Sequence, residues 1–135
     1  MIRLGPGSLQ PAWMEALDLA CFGEPWGAFG EREWALIEPG LGYALWSAVP
    51  ATGEAELLRV AVDPASRRVG LGRRLLESSE SLLREAGLHT LWLEVRVGNQ
   101  AARALYERLG WSFEGLRKAY YKDGEDAALY RKELG

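Results

Sequence analysis

The chain has 135 residues, 48% of them hydrophobic and 26% charged, a length and balance that fit one compact domain with its own core. A formal net charge of -3 argues against nucleic acid as the main partner, because binding a phosphate backbone normally shows as a basic face. One cysteine, Cys21, and one histidine, His89, exclude a disulfide framework and a structural zinc site, and no apolar run is long enough to span a membrane.

The first residues, Met1 to Pro6, carry no signal-peptide core, which makes the cytoplasm the default location, and Ile2 to Leu4 reads as a short strand. Ser8 is a candidate N-cap for a helix whose apolar stripe is Trp13, Ala16, Leu17, Ala20 and Cys21; on that stripe Cys21 reads as a small buried hydrophobe. Gly23-Glu24-Pro25-Trp26-Gly27 must be a loop, and a second short helix is expected around Glu31 to Leu36. Gly42 to Val49 and Glu54 to Val62 read as strands joined by the turn Pro50-Ala51-Thr52-Gly53, with Asp63-Pro64 ending the second. From Leu71, the positions Leu75, Leu76, Leu82, Leu83 and Ala86 keep helical spacing up to a stop at Gly87, after which His89 has a solvated or capping place. Thr90 to Val95 is a strand apolar on both faces, Asn99 caps a helix carrying Ala101, Ala102, Leu105, Tyr106 and Leu109, and Gly110 stops it. Two last strands, near Trp111 to Tyr121 and Ala127 to Leu134, are joined at Lys122-Asp123-Gly124. The order is the βαβ rhythm of a covered sheet.

Between the second long strand and its helix lies Arg67-Arg68-Val69-Gly70-Leu71-Gly72. A glycine-bearing turn at a helix N-terminus aims free backbone N–H groups and the positive end of the helix dipole at one point, which suits a phosphate. The same residues also fit a plain turn whose glycines supply positive φ. Glu94 is charged inside an otherwise apolar strand. It is either a carboxylate whose pKa rises by desolvation, as a base working near neutral pH needs, or the ion-pair partner of Arg59 or Arg96. Tyr106 is either a core aromatic with its hydroxyl at the rim or a proton donor.

With those residues in view, Arg67 to Gly72 resembles the R/Q-x-x-G-x-G/A pyrophosphate loop of the GNAT acetyltransferases. Leu91-Trp92-Leu93-Glu94-Val95-Arg96, then Asn99, then Ala104 to Trp111, is similar to the RimI-type branch, the ribosomal-protein-alanine N-acetyltransferases; Arg117, Tyr120-Tyr121 and Glu125-Asp126-Ala127 follow in that family's order. The match runs over roughly Val60 to Ala128, about half the chain. It implies a GNAT domain over residues 1–135. Its expected α/β fold (α+β in some schemes) has a central mixed, mostly antiparallel sheet of about six to seven strands, with a splayed parallel pair and about four flanking helices.

The resemblance further implies acetyl-CoA as cosubstrate, no metal, and direct attack by an amine with Glu94 as general base and Tyr106 as general acid. That chemistry suits a chain whose only cysteine is remote from the motifs in sequence. The phenol, ordinarily near 10, would serve a thiolate whose conjugate acid lies near 8.5. Val60, Ala61 and Val62 would pair their backbone with the pantetheine arm, which Asn99 would reach; Arg67, Arg68, Val69, Gly70, Leu71, Gly72 and Arg73 would take the pyrophosphate. Trp26, Tyr120 and Tyr121 would hold the acceptor, a protein or peptide N-terminus, notably the alanine of ribosomal protein S18. A monomer or weak dimer is expected, with no nucleic-acid or membrane partner. Here the chain departs from its family: Phe22-Gly23-Glu24-Pro25-Trp26 stands where Phe-Pro-Trp is usual. A GNAT enzyme acting on a small amine or a lysine side chain, and a noncatalytic acyl-CoA-binding module, are the alternative readings.

Overall fold

In the computed structural model, which describes residues 1–67 and 69–135, a glycine in the left-handed region follows each α-helix within two residues, and the buried strands lie at the middle of the sheet. The elements are β1 (Ile2–Leu4), α1 (Ala12–Phe22), β2 (Glu33–Glu38), β3 (Gly42–Val49), β4 (Glu54–Val62), α2 (Leu71–Glu85), β5 (Thr90–Arg96), α3 (Gln100–Arg108), β6 (Ser112–Arg117) and β7 (Ala127–Glu133). They build one sheet in the order β1-β2-β3-β4-β5-β7-β6, antiparallel throughout except for β4 beside β5. Among the described residues no helix is long and apolar enough to cross a membrane.

The sheet separates two cores. On one face Trp34, Leu36, Trp46, Leu57 and Leu93 pack with Leu75, Leu76 and Leu83 of α2 and Tyr106 of α3. On the other, Ala35, Ile37, Tyr43, Leu45 and Ala61 pack with Met14 and Leu17 of α1. Residues 31–36, expected as a helix, instead contribute most of β2, paired from Glu33↔Ser47 to Glu38↔Gly42. Their alternate side chains supply both cores, an arrangement of period two that overrides helix propensity. Three α-helices thus stand among the described residues where about four were expected.

Helix α1 also differs from expectation. It starts after Pro11, with no side-chain cap, and the carbonyl of Ser8 accepts from the Phe29 N–H at 3.0 Å instead. Its buried stripe is Met14, Leu17 and Asp18, with Trp13 and Cys21 half-buried and Ala16 and Ala20 exposed. Gly23 ends it in the left-handed region at φ 81°, donating to the Leu19 carbonyl. His89 is exposed, as expected, its Nδ1 2.9 Å from Thr90 Oγ1.

What positions the site is a parting of strands. β4 and β5 pair from Glu54↔Thr90 to Leu57↔Leu93 and then separate. Beyond that point β4 stays with β3, while β5 runs with β7 through Glu94↔Leu129. A β-bulge marks the parting: Trp46 faces Leu57 and Leu45 faces Arg59, leaving Leu58 as the extra residue. The splay opens a wedge lined by backbone with no partner strand on that side.

Candidate active site

A charged residue at the end of a parallel pairing falls at the mouth of whatever the strands open onto. Glu94 is the first β5 residue past the last β4 pair, and its side chain is 14% exposed. Its Oε1 accepts from Arg117 Nη1 at 2.9 Å, while Oε2 is buried with no hydrogen-bond partner among the described residues. The ion pair is therefore with β6 rather than with Arg59 or Arg96, which are engaged elsewhere. Arg96 binds Asp123 and Glu125 at 2.8 and 2.9 Å. Beside Glu94, burial first and the Glu94 charge second push the Glu56 carboxyl up, with Arg117 opposing.

Tyr106, Asn99 and Val60 line the same cavity as Glu94, together with Phe22 and Arg59. Asn99 caps α3, its Oδ1 accepting from the Ala102 N–H at 3.1 Å. Tyr106 packs edge-on against Trp111, and burial, with Tyr121 adding a smaller effect, pushes its hydroxyl up to about 12. Burial likewise raises the Tyr43 hydroxyl, helped by the Asp18 carboxylate.

Both phenols hold a raised folded value, so their stabilising share is complete below the unfolded value near 10 and is lost as pH climbs through the folded one. For Tyr106, a hydroxyl near 12 instead of 10 means that ionisation costs about 3 kcal/mol more in the folded state than in the unfolded chain. Thermal unfolding followed between about pH 9 and 12 should show a steep loss of stability that Tyr106→Phe makes shallower.

At the other end of the wedge, α2 begins at Gly70, left-handed at φ 78°. The first bond into the helix is from the Arg74 N–H to the Gly70 carbonyl at 3.0 Å, so the N–H groups of Leu71, Gly72 and Arg73 face outward. Val62, Arg67, Gly70, Leu71, Gly72 and Arg73 line this cavity with Arg108 from α3, a third cation that no local motif announces and that only the tertiary placement of α3 brings to it. Val69 is exposed and does not line it, and Arg68 lies outside the described residues. A further pocket lined by Val60, Ala61, Val62, Arg67 and Gly72 joins the two ends.

Two details correct the expectations here. Arg67 Nε donates to the Val62 carbonyl at 3.2 Å, so that carbonyl is already engaged. Arg67 Nη2 also reaches Cys21 Sγ at 3.4 Å, which places the cysteine half-buried on the wall of the connecting pocket rather than away from the motifs.

The expected acceptor residues divide. Tyr120 and Tyr121 stand edge to face at 5.1 Å, under Arg117 at 4.7 Å and Arg96 at 4.1 Å respectively. Arg117, over the Tyr120 ring, also donates to Glu94, which sets that ring near the carboxylate, and the Glu94 charge is the main cause that raises the Tyr120 hydroxyl. Ala119 precedes it at φ 50°, a strained value for a residue with a Cβ, and its N–H is held by Asp126 Oδ1 at 2.8 Å. Trp26 does not line the cavity: its indole N–H donates to Glu33 Oε1 at 3.0 Å, and Phe22 lines the wall instead.

Asp18 is the residue most clearly missed. It is fully buried and accepts from Gln10 Nε2, from the Tyr43 hydroxyl and, at 2.9 Å, from the Trp26 N–H, with Arg59 Nη1 at 3.6 Å. The signal was a charge at the i+4 position from Met14, on the buried face of an amphipathic helix.

The family model described as the acetyltransferase (GNAT) family matches residues 11–111. The chain is 50% identical over 78 residues to the ribosomal protein bS18-alanine N-acetyltransferase of Escherichia coli strain K12, across 56% of this chain and 53% of that protein. It is 53% identical over 79 residues to the enzyme of the same name from Salmonella typhimurium, with the same coverage. The chain thus spans about half the length of the curated relatives it matches. Among solved structures, the ribosomal-protein-S18-alanine N-acetyltransferase of Escherichia coli superposes with a TM-score of 0.78 at 35% identity, covering 95% of this chain and 92% of that one.

Proposed function

Because the chain belongs to the acetyltransferase (GNAT) family, we propose that it transfers the acetyl group of acetyl-CoA to the N-terminal α-amino group of a protein, the alanine of ribosomal protein S18 being the acceptor. The observation that carries this reading is the splay after Leu57↔Leu93, which gathers Glu94, Asn99 and Tyr106 around one cavity and opens toward the free N–H groups at the start of α2. The residues fit the cosubstrate: an N-terminal cradle flanked by Arg67, Arg73 and Arg108 for a pyrophosphate, then a strip of unpaired β4 edge for an extended amide chain. Bound there, acetyl-CoA supplies an activated thioester. Its backbone partners are Val60 and Ala61, and Asn99 stands beside the same stretch.

Glu94 takes a proton from the acceptor's ammonium through its free Oε2, directly or through a water, and the amine lone pair then attacks the acetyl carbon. Near pH 7.5 about a quarter of α-amines are already neutral, against about one in a thousand lysines, so one carboxylate is an adequate base for an N-terminus. Tyr106 serves the departing sulfur. With its hydroxyl pushed up to about 12, full transfer to a finished thiolate near 8.5 runs uphill, which corrects the simple picture of a free proton donor. Its role is to donate a hydrogen bond as charge builds on sulfur while keeping its own proton; coenzyme A departs as the thiolate and takes up its proton from solvent.

Tyr120 and Tyr121 frame the acceptor's entry. The work takes place in the cytoplasm, with the chain acting as a monomer or weak dimer.

Incubating the protein with acetyl-CoA and a panel of acceptors tests the reading by mass spectrometry. Alanine-starting peptides, including that of ribosomal protein S18, should gain one acetyl group on the α-nitrogen. Turnover of polyamines or lysine side chains with none on those peptides would reject it.

A further inference from the structure

The stretch from Gly23 to Gly27 follows α1 with no regular secondary structure, opening at Gly23 in the left-handed region, so no helix or strand ladder fixes its pose. In this fold something holds it. Arg59 Nη1 donates to the Glu24 carbonyl at 3.3 Å and lies 3.6 Å from Asp18 Oδ2, which in turn accepts from the Trp26 N–H. The same guanidinium lies over the Phe22 ring at 4.1 Å and the Trp26 ring at 5.2 Å, and its side chain is only 15% exposed. One side chain thus engages the beginning, the middle and the end of the loop.

The bulge at Leu58 explains how it gets there. Past the extra residue, Arg59 pairs with Leu45 and rises on the α1 face of β4, at the point where β4 leaves β5. Arg59 and Phe22 therefore wall the same cavity as Glu94 and Tyr106. The α2 end of the wedge, where the pyrophosphate cradle lies, touches none of these loop contacts.

We propose that Arg59 is a positioning residue for the acceptor: by holding the Phe22–Trp26 loop against Asp18, it sets how tightly the acceptor binds, with far less effect on acetyl-CoA, whose pyrophosphate end lies clear of the loop. The inference rests on the acetyl-transfer reading above. An arginine is needed because only a planar guanidinium can stack on two rings, donate to a carbonyl and stand as counter-charge to a carboxylate together; a lysine keeps the charge and loses the face.

Arg59→Met and Arg59→Lys test it through the Michaelis constants of both substrates, alongside hydrogen exchange of residues 22–27. The expected result is an acceptor KM roughly tenfold higher in Arg59→Met, an acetyl-CoA KM within about twofold of the parent, and faster exchange at the Trp26 amide. Arg59→Lys should resemble Arg59→Met more than the parent, and it serves as the test if Arg59→Met does not fold. An unchanged acceptor KM, two constants that rise together, or an unchanged loop exchange would overturn the proposal. If the parent chain acetylates only small amines, the peptide reading fails by itself. The same constants are then read with that amine, and loop exchange, which needs no acceptor, judges Arg59 in either case.

Discussion

Glu94→Gln is expected to lower kcat by about a hundredfold while leaving acetyl-CoA binding within about twofold of the parent. The substitution isolates the charge. Glutamine has the same length, and its amide oxygen can still accept from Arg117 Nη1, so the contact at 2.9 Å survives in kind. What disappears is the capacity to accept a proton at Oε2, the buried oxygen left without a partner. Were Glu94 only an ion-pair residue, the loss would be small, because Arg117 is more than half exposed and such pairs contribute about 0–1 kcal/mol. Tyr106→Phe removes a hydrogen-bond donor rather than a base, and kcat should fall by about tenfold with the ring packing on Trp111 intact. Full turnover in both variants would reject both roles.

The second large effect is on stability. Asp18→Ala is expected to cost about 3–5 kcal/mol in denaturant unfolding, a large share of the roughly 5–15 kcal/mol of a typical domain. Removing the carboxylate leaves Arg59 without its counter-charge in a side chain that is mostly buried, and strands the Tyr43 hydroxyl, the Gln10 amide and the Trp26 N–H at once. Asp18→Asn keeps the volume and some of the acceptors, and should cost less. A loss below about 1 kcal/mol in Asp18→Ala would mean that the network does not fasten α1 to its loop.

Local chemistry explains which elements were legible. The strands Gly42–Val49 and Glu54–Val62 stand where the alternating residues and the Pro50–Gly53 turn put them. Gly70, Asn99 and Gly23 sit at helix boundaries because their backbone or cap preferences act within one turn. The stretch from Glu31 to Leu36 was misread because Glu, Arg, Ala and Leu carry helix propensity, and only β1 and β3 on either side draw it into the sheet. Asp18 went unnoticed for a similar reason. Its partners are Gln10, Trp26, Tyr43 and Arg59, on four separate segments of chain.

By itself the amino-acid sequence determined the motif order from Arg67 to Tyr121, and with it the family and the uncapped start of α2, because a glycine turn before a helix exposes its N–H groups whatever surrounds it. Tertiary structure alone decided that Glu94 meets Arg117, that Arg108 lines the cavity at the start of α2, that Cys21 stands on the connecting wall, and that Arg59 holds the loop after α1. The first follows from the β5-β7-β6 pairing and the last from the bulge at Leu58, matters of register between distant strands that no short stretch of sequence encodes.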